Sequence, residues 1–520
     1  MTNPANAIRM LVTYAICIPL AIFMGFVMTE VGNSPDYSNL FAIGIVIAVL
    51  ASPIFIKWHY PILVFGIGCP MYVFFLKGSP PLWQVVVLIS LGIAIIERAI
   101  NSDRRFIKAS VMTWPLLYTL AMIVMTAELT GGIGLKALGG DVGGGKKYLA
   151  LFLGIGMFFA LTSRKIPKEK RNVYILLFFL AGTPTFISDL FPYLPSPLNY
   201  INLLFPPSQS VMSGDVAVGT TRLGAFAGTA GAIVNLILVK YGLRGTFSAL
   251  HPGRAVLFLI MFSLSLLGGF RVVLITLAEI TFILFLLEGL YRTRMLLVFL
   301  CGGVLGLTLL VPFSDKLPGT FQRALTVVPF LRLDPAVRLD AEGSKEWREK
   351  MWTDTWPKVP QYLLLGKGYA LSAADFALMG GGDFQNLGVN FDASQDGLAI
   401  SMDYHNGPLS TLMPFGIWGM ISYLWVTLAS LFVLYRNFRY GDEEIKPFNA
   451  FMLALSLCRF SGYFFVFGAY SNDIGEFAKF AGFSIAMNWG VMRAPALKQA
   501  STSFIRQLPI RPGKPQSLPA

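Results

Sequence analysis

The stretch SLSLLGGFRVVLITLAE, residues 263–279, joins two apolar runs through a Gly-Gly turn and places a single arginine, Arg271, shortly after that turn. A helix needs about 20 mostly apolar residues to cross the hydrocarbon layer of a membrane. Runs of that kind recur along the whole chain of 520 residues, of which 55% are hydrophobic and 13% charged. Soluble domains carry roughly 25% charged residues. The sequence therefore predicts an all-α integral membrane protein.

The hydropathy pattern predicts a single bundle of about 12–14 transmembrane helices within residues 1–492. No cleavage site of small residues follows the first span, so we interpret it as a retained helix. Residues 493–520 are rich in Pro, Ser, Gln and basic residues, and we expect them to form a disordered tail. The predicted spans are 8–28, 40–56, 61–76, 83–96, 109–127, 148–162, 172–189, 223–240, 255–270, 272–290, 296–313, 407–434, 449–468 and 477–492.

Basic residues assign a side to each connection, because short cytoplasmic loops retain Lys and Arg. The resulting alternation places both termini in the cytoplasm and leaves one long polar loop, residues 314–405, on the opposite side. That loop contains twelve Asp or Glu residues against nine Lys or Arg residues, so the net charge of +13 arises on the cytoplasmic face. A basic face beside apolar spans favours anionic membrane lipid as a partner and gives no indication of nucleic acid.

The three histidines fall in different places in this topology. His59 and His251 lie in predicted cytoplasmic turns, where we expect solvated side chains. His405 lies on the opposite side, in DYHNGPLSTLMPFGIWGM, residues 403–420, where Asn406 is a favourable helix N-cap followed by Pro in the first turn. The partial positive charge of that helix end favours a neutral imidazole, which can accept a proton. The alternative is an interfacial histidine that only hydrogen-bonds a carbonyl group.

Three arginines are also predicted on the side of the long loop. Arg271 interrupts an apolar run, where a cation is costly and is usually functional. Arg222 opens the span RLGAFAGTAGAIVNL, and Arg348 lies in EWREKMWTDTW, a helical pattern whose tryptophans suggest an apolar stripe resting on the bilayer interface. The planar guanidinium group binds phosphate in bidentate fashion, so these arginines could together hold a diphosphate. Taken singly, each could instead snorkel to the interface or form an ion pair.

From Arg222 to Met420 the chain resembles the bacterial O-antigen ligase and polymerase superfamily. The residues that carry the likeness are RLGAFAG, the arginine after LLGG, WREKMW followed by YLLLGKGYAL, and YHNGPLSTLMPFGIWGM. Members of that family are multi-helix membrane glycosyltransferases, similar to GT-C-type enzymes, with one long periplasmic loop between late helices. The chain departs from the common pattern at Phe270, where a small or hydroxyl residue often precedes the arginine.

The resemblance implies a protein of the bacterial inner membrane that takes its glycan from undecaprenyl diphosphate on the periplasmic face. It carries Arg271 and Arg348 over as diphosphate ligands, with Arg222 as a further donor-binding candidate. It carries His405 over as the catalytic residue, which would take the proton of the acceptor hydroxyl during one inverting displacement. The supporting candidates are Asp403, Tyr404 and Asn406. The family is thought to act without a metal ion, and we expect no cofactor.

Ligase and polymerase share this chemistry and differ in the acceptor, which is lipid A-core for one and a lipid-linked glycan for the other, and the sequence leaves both open. A polytopic transporter of lipid-linked glycan or of a solute is the main alternative, and a noncatalytic envelope scaffold is a third. Charged residues within spans, such as Glu279 and Arg459, would be typical of a transporter. We expect those two side chains to form an ion pair inside the bundle.

The Gly- and Asp-rich segment of residues 382–400 has few apolar anchors. We expect it to be a mobile cover that closes over bound substrate, with carboxylates that contact sugar hydroxyls. A solvated loop is the alternative interpretation. The carboxylates in question are Asp383, Asp392, Asp396 and Asp403.

Overall fold

The computed structural model describes residues 37–76, 78–101, 103, 105–133, 144–208, 222–371 and 402–494. Within these ranges the chain is helical and has no strand beyond one isolated bridge, so the prediction of an all-α fold is confirmed. The predicted first span, the cover at 382–400 and residues 495–520 of the tail lie outside the described residues. The α-helices are α1 Tyr37–Gly66, α2 Leu82–Ile100, α3 Ser110–Thr130, α4 Gly145–Thr162, α5 Arg171–Leu180, α6 Gly224–Thr246, α7 Pro252–Ser265, α8 Arg271–Leu287, α9 Met295–Phe313, α10 Gly319–Ala324, α11 Pro335–Thr355, α12 Val359–Tyr362, α13 Gly407–Tyr440, α14 Lys446–Phe465 and α15 Tyr470–Asn488.

Eight helical segments of the described chain are long and apolar enough to cross a membrane, which makes the protein a multi-pass membrane protein. They comprise α2, α3, α4, α6, α9 and α13, together with the segments that contain α5 and α14. The sequence prediction of 12–14 spans also counts shorter helices such as α7 and α8, and α15, which carries Asp473, Glu476 and Lys479. These helices occur where the hydropathy pattern places them.

The first described helix, α1, shows that one predicted boundary between spans is wrong. Spans 40–56 and 61–76 were predicted separately, but the structure has one continuous helix, α1, and irregular chain after Gly66. His59 was predicted to lie in a turn between these spans, but the helix continues through it and also contains Pro53 and Pro61. A polar residue does not end a membrane helix when its side chain finds a partner inside the protein.

His59 has such a partner. Its side chain is buried in α1, and Nδ1 lies 2.8 Å from Oγ of Ser90 on α2. The prediction of a solvated turn is therefore wrong for His59. It is confirmed for His251, which is exposed directly before α7.

Small residues let the central helices approach closely. α15 packs against α4 and α13, and a Cβ atom on Gly154 of α4 would lie only 3.2 Å from Cα of Gly475 of α15. Close contact through glycine is a common way for membrane helices to associate, because dispersion and weak polar contacts replace the hydrophobic effect. α14 packs against α13 and also against α6 and α8. These contacts hold α8 and α13 in one bundle.

A glycine breaks α13 near its start. Gly416 has a φ of 61°, and a Cβ atom there would lie 2.5 Å from the carbonyl oxygen of Leu363. The segment of residues 363–368 runs beside the break and completes its hydrogen bonding, which non-helical backbone inside a membrane bundle requires. The bonds are Lys367 N–H to Met413 O (2.7 Å), Gly368 N–H to Pro414 O (2.9 Å) and Ile417 N–H to Leu363 O (2.7 Å).

Within 314–371, the described part of the segment predicted as the long loop, the chain is partly helical, as the EWREKMWTDTW pattern predicted. α11 begins after Asp334, whose carboxylate accepts a hydrogen bond from the N–H of Ala336 at 2.8 Å. The prediction that its tryptophan stripe rests on the bilayer interface is wrong for the central part. Met351 is buried, and Trp352 donates its indole N–H to the carbonyl oxygen of Tyr404 at 2.7 Å. α11 therefore packs onto the chain that leads into α13.

The predicted ion pair between Glu279 and Arg459 is also wrong. Arg459 of α14 pairs with Asp473 of α15, with 2.7 Å between Nε and Oδ1. Asp473 also accepts a hydrogen bond from the N–H of Ala469, so the carboxylate joins the start of α15 to α14. Glu279 instead accepts a hydrogen bond from the hydroxyl of Ser461.

Candidate functional site

The candidate site is built around the turn that precedes α8. Gly269 has a φ of 66°, a conformation that L side chains rarely adopt. Arg222 donates its Nε hydrogen to the carbonyl oxygen of Gly268 at 3.1 Å, and Arg323 of α10 donates from Nη1 to that of Gly269 at 3.1 Å. Two arginines from distant parts of the chain therefore bind consecutive carbonyl groups just before Arg271.

Phe270, the residue at which the chain departs from the family pattern, contacts one of these arginines. The guanidinium carbon of Arg222 lies 4.5 Å from the centroid of the Phe270 ring. Such a cation–π contact helps to hold the Arg222 side chain in place. The structure thus places Arg222 next to the turn and beside the residue that leads into Arg271.

Arg348 of α11 approaches from the long loop. Its burial, and then the positive charges of Arg271 and Arg323, lower the pKa of the Arg348 guanidinium below its ordinary value. Arg271, Arg323 and Arg348 therefore lie close enough for their charges to interact, and we call them the arginine cluster. The structure brings Arg271 and Arg348 together as the sequence suggested, and it adds Arg323.

The arginine cluster has more positive than negative charge. Asp340 forms an ion pair with Arg323, whereas neither Arg271 nor Arg348 has an ion pair among the described residues. The Nε atom of Arg348 is buried, and no hydrogen-bond partner for it occurs in the described ranges. Arginine binds anions with several oxygen atoms in a bidentate manner. The arrangement suits a polyanionic group such as a phosphate or diphosphate.

His405 lies at the entrance to α13 in a constrained backbone conformation. Its φ is 49°, and for a residue other than glycine this left-handed conformation costs about 1–2 kcal/mol. The carboxylate of Asp403 accepts a hydrogen bond from the N–H of His405 at 3.3 Å. The side-chain oxygen of Asn406 accepts one from the N–H of Leu409 at 3.0 Å, which confirms the predicted N-cap.

Among the described residues, the imidazole of His405 contacts the rings of Trp347 and Phe467. The ring centroid of Trp347 is 5.8 Å away at an interplanar angle of 66°, and that of Phe467 is 4.6 Å away at 44°. Trp347 directly precedes Arg348 in α11. One helix of the long loop therefore contacts the histidine and supplies an arginine to the cluster.

Tyr404 supports the position of His405 and is itself buried. Its N–H donates to the hydroxyl of Ser410 at 3.0 Å, and its own hydroxyl donates to the sulfur of Met402 at 3.3 Å. Burial, and then the charge of Tyr362, raise the pKa of Tyr404 to about 12. The hydroxyl therefore stays protonated at neutral pH.

Sequence reasoning missed three residues of this arrangement, namely Arg323, Asp340 and Phe467. Arg323 and Asp340 lie in polar loop sequence, where a charged residue gives no signal because it is usually solvated. Phe467 follows α14 in an apolar segment with other aromatic residues, and nothing in the sequence distinguishes it from them. Only the folded contacts distinguish these three from their neighbours.

The fold and the site define an all-helical, multi-pass membrane protein with a cationic cluster at the start of α8 and a histidine at the start of α13. Within the described ranges, no three His, Cys, Asp or Glu side chains cluster in a way that could hold a metal ion. Comparison of the chain with protein family models, with curated proteins and with solved structures gives no match.

Proposed function

We propose that the protein is a membrane glycosyltransferase of the O-antigen ligase or polymerase kind. It transfers a glycan from undecaprenyl diphosphate to an acceptor hydroxyl on the periplasmic face of the bacterial inner membrane. The observation that carries the proposal is that α11 contributes to both parts of the site. Its Arg348 belongs to the arginine cluster, and its Trp347 contacts the imidazole of His405. Cationic groups for a leaving diphosphate and a base for an attacking hydroxyl are the two elements that this transfer needs.

In the proposed reaction, the acceptor oxygen forms a bond to the anomeric carbon while the bond from that carbon to the diphosphate oxygen breaks. The electron pair leaves with the diphosphate, and Arg271, Arg323 and Arg348 stabilise its negative charge. The proton of the acceptor hydroxyl passes to the imidazole of His405. A single displacement of this kind inverts the anomeric centre, and its charge balance requires no metal ion or other cofactor.

Purified full-length protein in lipid nanodiscs, with a defined undecaprenyl-diphosphate glycan, tests the proposal. We expect His405→Ala to lower the transfer rate by roughly 10²- to 10⁴-fold while donor binding is retained. Arg348→Ala should also weaken donor binding, and Arg348→Lys should restore only part of it, because an ammonium group lacks the planar fork. Lys350→Ala, an exposed cation on the same helix, is the matched control and should change neither quantity.

Full activity of the His405→Ala protein would contradict the proposed base, and loss of wild-type activity on chelation would contradict a metal-independent reaction. The acceptor is assigned by offering lipid A-core and a second lipid-linked glycan separately. In a deletion strain, loss of a ligase leaves long glycan on the lipid carrier, whereas loss of a polymerase leaves single repeat units.

A transporter is the second candidate, and one observation favours it. The ion pair of Arg459 with Asp473, and that of Lys479 with Glu476, lie within the helical bundle, where charged groups are costly and often mark a transport path. A transporter would leave lipid-linked repeat units in the cytoplasmic leaflet of the deletion strain. It would also give no transfer in the purified assay.

A further inference from the structure

Three hydroxyl groups in the core of the helical bundle have no hydrogen-bond partner among the described residues. They belong to Tyr423 and Thr427 of α13 and to Ser456 of α14, and all three side chains have an exposed fraction of 0%. α13 packs against both α14 and α15 in this region. The three hydroxyl groups therefore lie where helices meet, out of reach of bulk solvent.

The helix backbone does not satisfy these hydroxyl groups. A buried threonine in a helix can donate to the carbonyl group four residues earlier, as Thr162 and Thr246 do in this chain at 2.9 and 2.6 Å. Thr427 and Ser456 make no such bond. Because a buried polar group without a partner is costly, three of them in one region point to a ligand that hydrogen-bonds to them.

The hydroxyl groups adjoin two opposite charges. The charges of Asp473 and Arg459 both act on the hydroxyl of Tyr423. Thr427 follows Tyr423 by about one turn of α13, and Ser456 precedes Arg459 by about one turn of α14. We call these five side chains the hydroxyl site. It combines groups that both donate and accept with one carboxylate and one guanidinium group.

The charges around the hydroxyl site favour a neutral ligand. Arg459 forms an ion pair with Asp473, and Lys479 forms one with Glu476 further along α15, so the charges cancel in pairs. An added cation or anion would lack a compensating charge inside the bundle, where such a charge is costly. Water is neutral, donates and accepts as hydroxyl groups do, and typically makes about three hydrogen bonds when it is buried.

Polar side chains between the hydroxyl site and the turn that joins α13 to α14 are paired with one another. The amide groups of Asn449 and Asn488 bond each other in both directions, at 3.1 and 2.8 Å. Asn437 donates to the hydroxyl of Ser484 at 2.9 Å. These bonds separate the hydroxyl site from that end of the bundle, which favours a ligand held in place over one that passes through.

We propose that the hydroxyl site binds a small cluster of ordered water molecules. The cluster hydrogen-bonds Tyr423, Thr427 and Ser456 and hydrates the ion pair of Arg459 with Asp473. It thereby joins α13, α14 and α15 through polar contacts that the side chains do not make directly. The inference is independent of the proposed function, because it concerns the core that holds the helices together.

X-ray hydroxyl-radical labelling of the full-length protein in lipid nanodiscs tests the proposal. Radiolysis of bound water oxidises the side chains beside it, including those that bulk solvent does not reach. We expect Tyr423 to be labelled severalfold faster than Tyr470. Tyr470 is the matched control, because it is equally buried but its hydroxyl lies 2.8 Å from Oγ of Ser422.

Thr427→Val keeps the shape of the side chain, removes one hydroxyl group of the site and should lower the labelling of Tyr423 severalfold. Thr162→Val, at a buried threonine that bonds its own backbone, should leave the labelling unchanged. If the Thr427→Val protein does not fold, the comparison of Tyr423 with Tyr470 in the wild type decides alone.

Equally slow labelling of Tyr423 and Tyr470 in the wild-type protein overturns the inference. Labelling of Tyr423 that persists at the wild-type rate in folded Thr427→Val also overturns it, because the water would then lie elsewhere. A wild-type Tm that rises with the concentration of sodium or chloride, when that of Thr427→Val does not, would assign an ion to the site and overturn the choice of water.

Discussion

Trp347 lies edge-on to the imidazole of His405, with 5.8 Å between the ring centroids. The two residues belong to segments that are separated in sequence by the rest of the long loop, and their contact fixes α11 against the entrance to α13. Trp352 strengthens the same contact through its hydrogen bond to the carbonyl group of Tyr404. The position of His405 therefore depends on a helix that also carries Arg348.

Trp347→Ala should expose the imidazole of His405 and speed its chemical modification severalfold, because the contact with the indole ring is lost. Diethyl pyrocarbonate labelling followed by mass spectrometry measures each histidine separately. His251 is exposed in either protein and serves as the internal control. An unchanged labelling rate at His405 would show that the ring contact does not shield it.

Asp340→Asn should lower the thermal stability of the protein and increase its response to an anion. The substitution leaves Arg323 without its ion-pair partner while Arg271 and Arg348 remain close. Inorganic diphosphate should then raise the Tm of the variant by more than that of the wild type, because the anion replaces the lost negative charge. Asp354→Asn, at an exposed position of the same helix, should behave as the wild type.

The pair of Arg459 and Asp473 should contribute measurably to the free energy of unfolding. Breaking a buried ion pair costs about 3–5 kcal/mol. Because the Arg459 side chain is 37% exposed, we expect the cost for this pair to lie at or below the lower end of that range. A double-mutant cycle between the two residues should give a coupling above about 0.5 kcal/mol. The same cycle between Arg459 and Glu279 should give a smaller value. Equal coupling in both cycles would contradict the observed pairing.

Asp442 should make stability depend on pH in the acid range. The hydrogen bond from Arg171, followed by that from the N–H of Glu444 and that from Lys168, lowers the pKa of Asp442 from 3.8 to about 2. Because the folded protein has the lower pKa, this stabilisation is complete above about pH 4 and is lost as the pH falls towards 2. The Tm of Asp442→Asn should decline less than that of the wild type over this window.

Hydropathy predicts most of the helices because burial in a membrane depends on the average character of about 20 residues. Cap signals are equally local, so Asn406 was recognised as the start of α13. A helix that continues through a polar residue is harder to predict. α1 continues through His59 because Ser90 of α2 supplies a hydrogen-bond partner for its side chain. The sequence does not show which side chains of different helices are in contact.

The candidate site was only partly predictable for the same reason. Arg271 and Arg348 were recognisable, since each is a cation beside apolar or aromatic residues. Arg323 was not, because its role comes from a contact with Gly269 and an ion pair with Asp340. The partner of Arg459 was misassigned, since Glu279 and Asp473 are both carboxylates within reach by sequence and the packing of α14 on α15 decides between them.

The break at Gly416 has a consequence for how the protein is made. The part of α13 after Gly416 has enough residues to span a membrane alone, whereas residues 407–415 are too few. The 363–368 segment, which satisfies the backbone at the break, precedes α13 in the chain and leaves the ribosome before it. During membrane insertion the longer part can act as the anchor, and the short part that begins next to His405 docks only after the preceding loop has reached its place. We therefore expect the region around His405 to assemble after the longer part of α13 has entered the membrane.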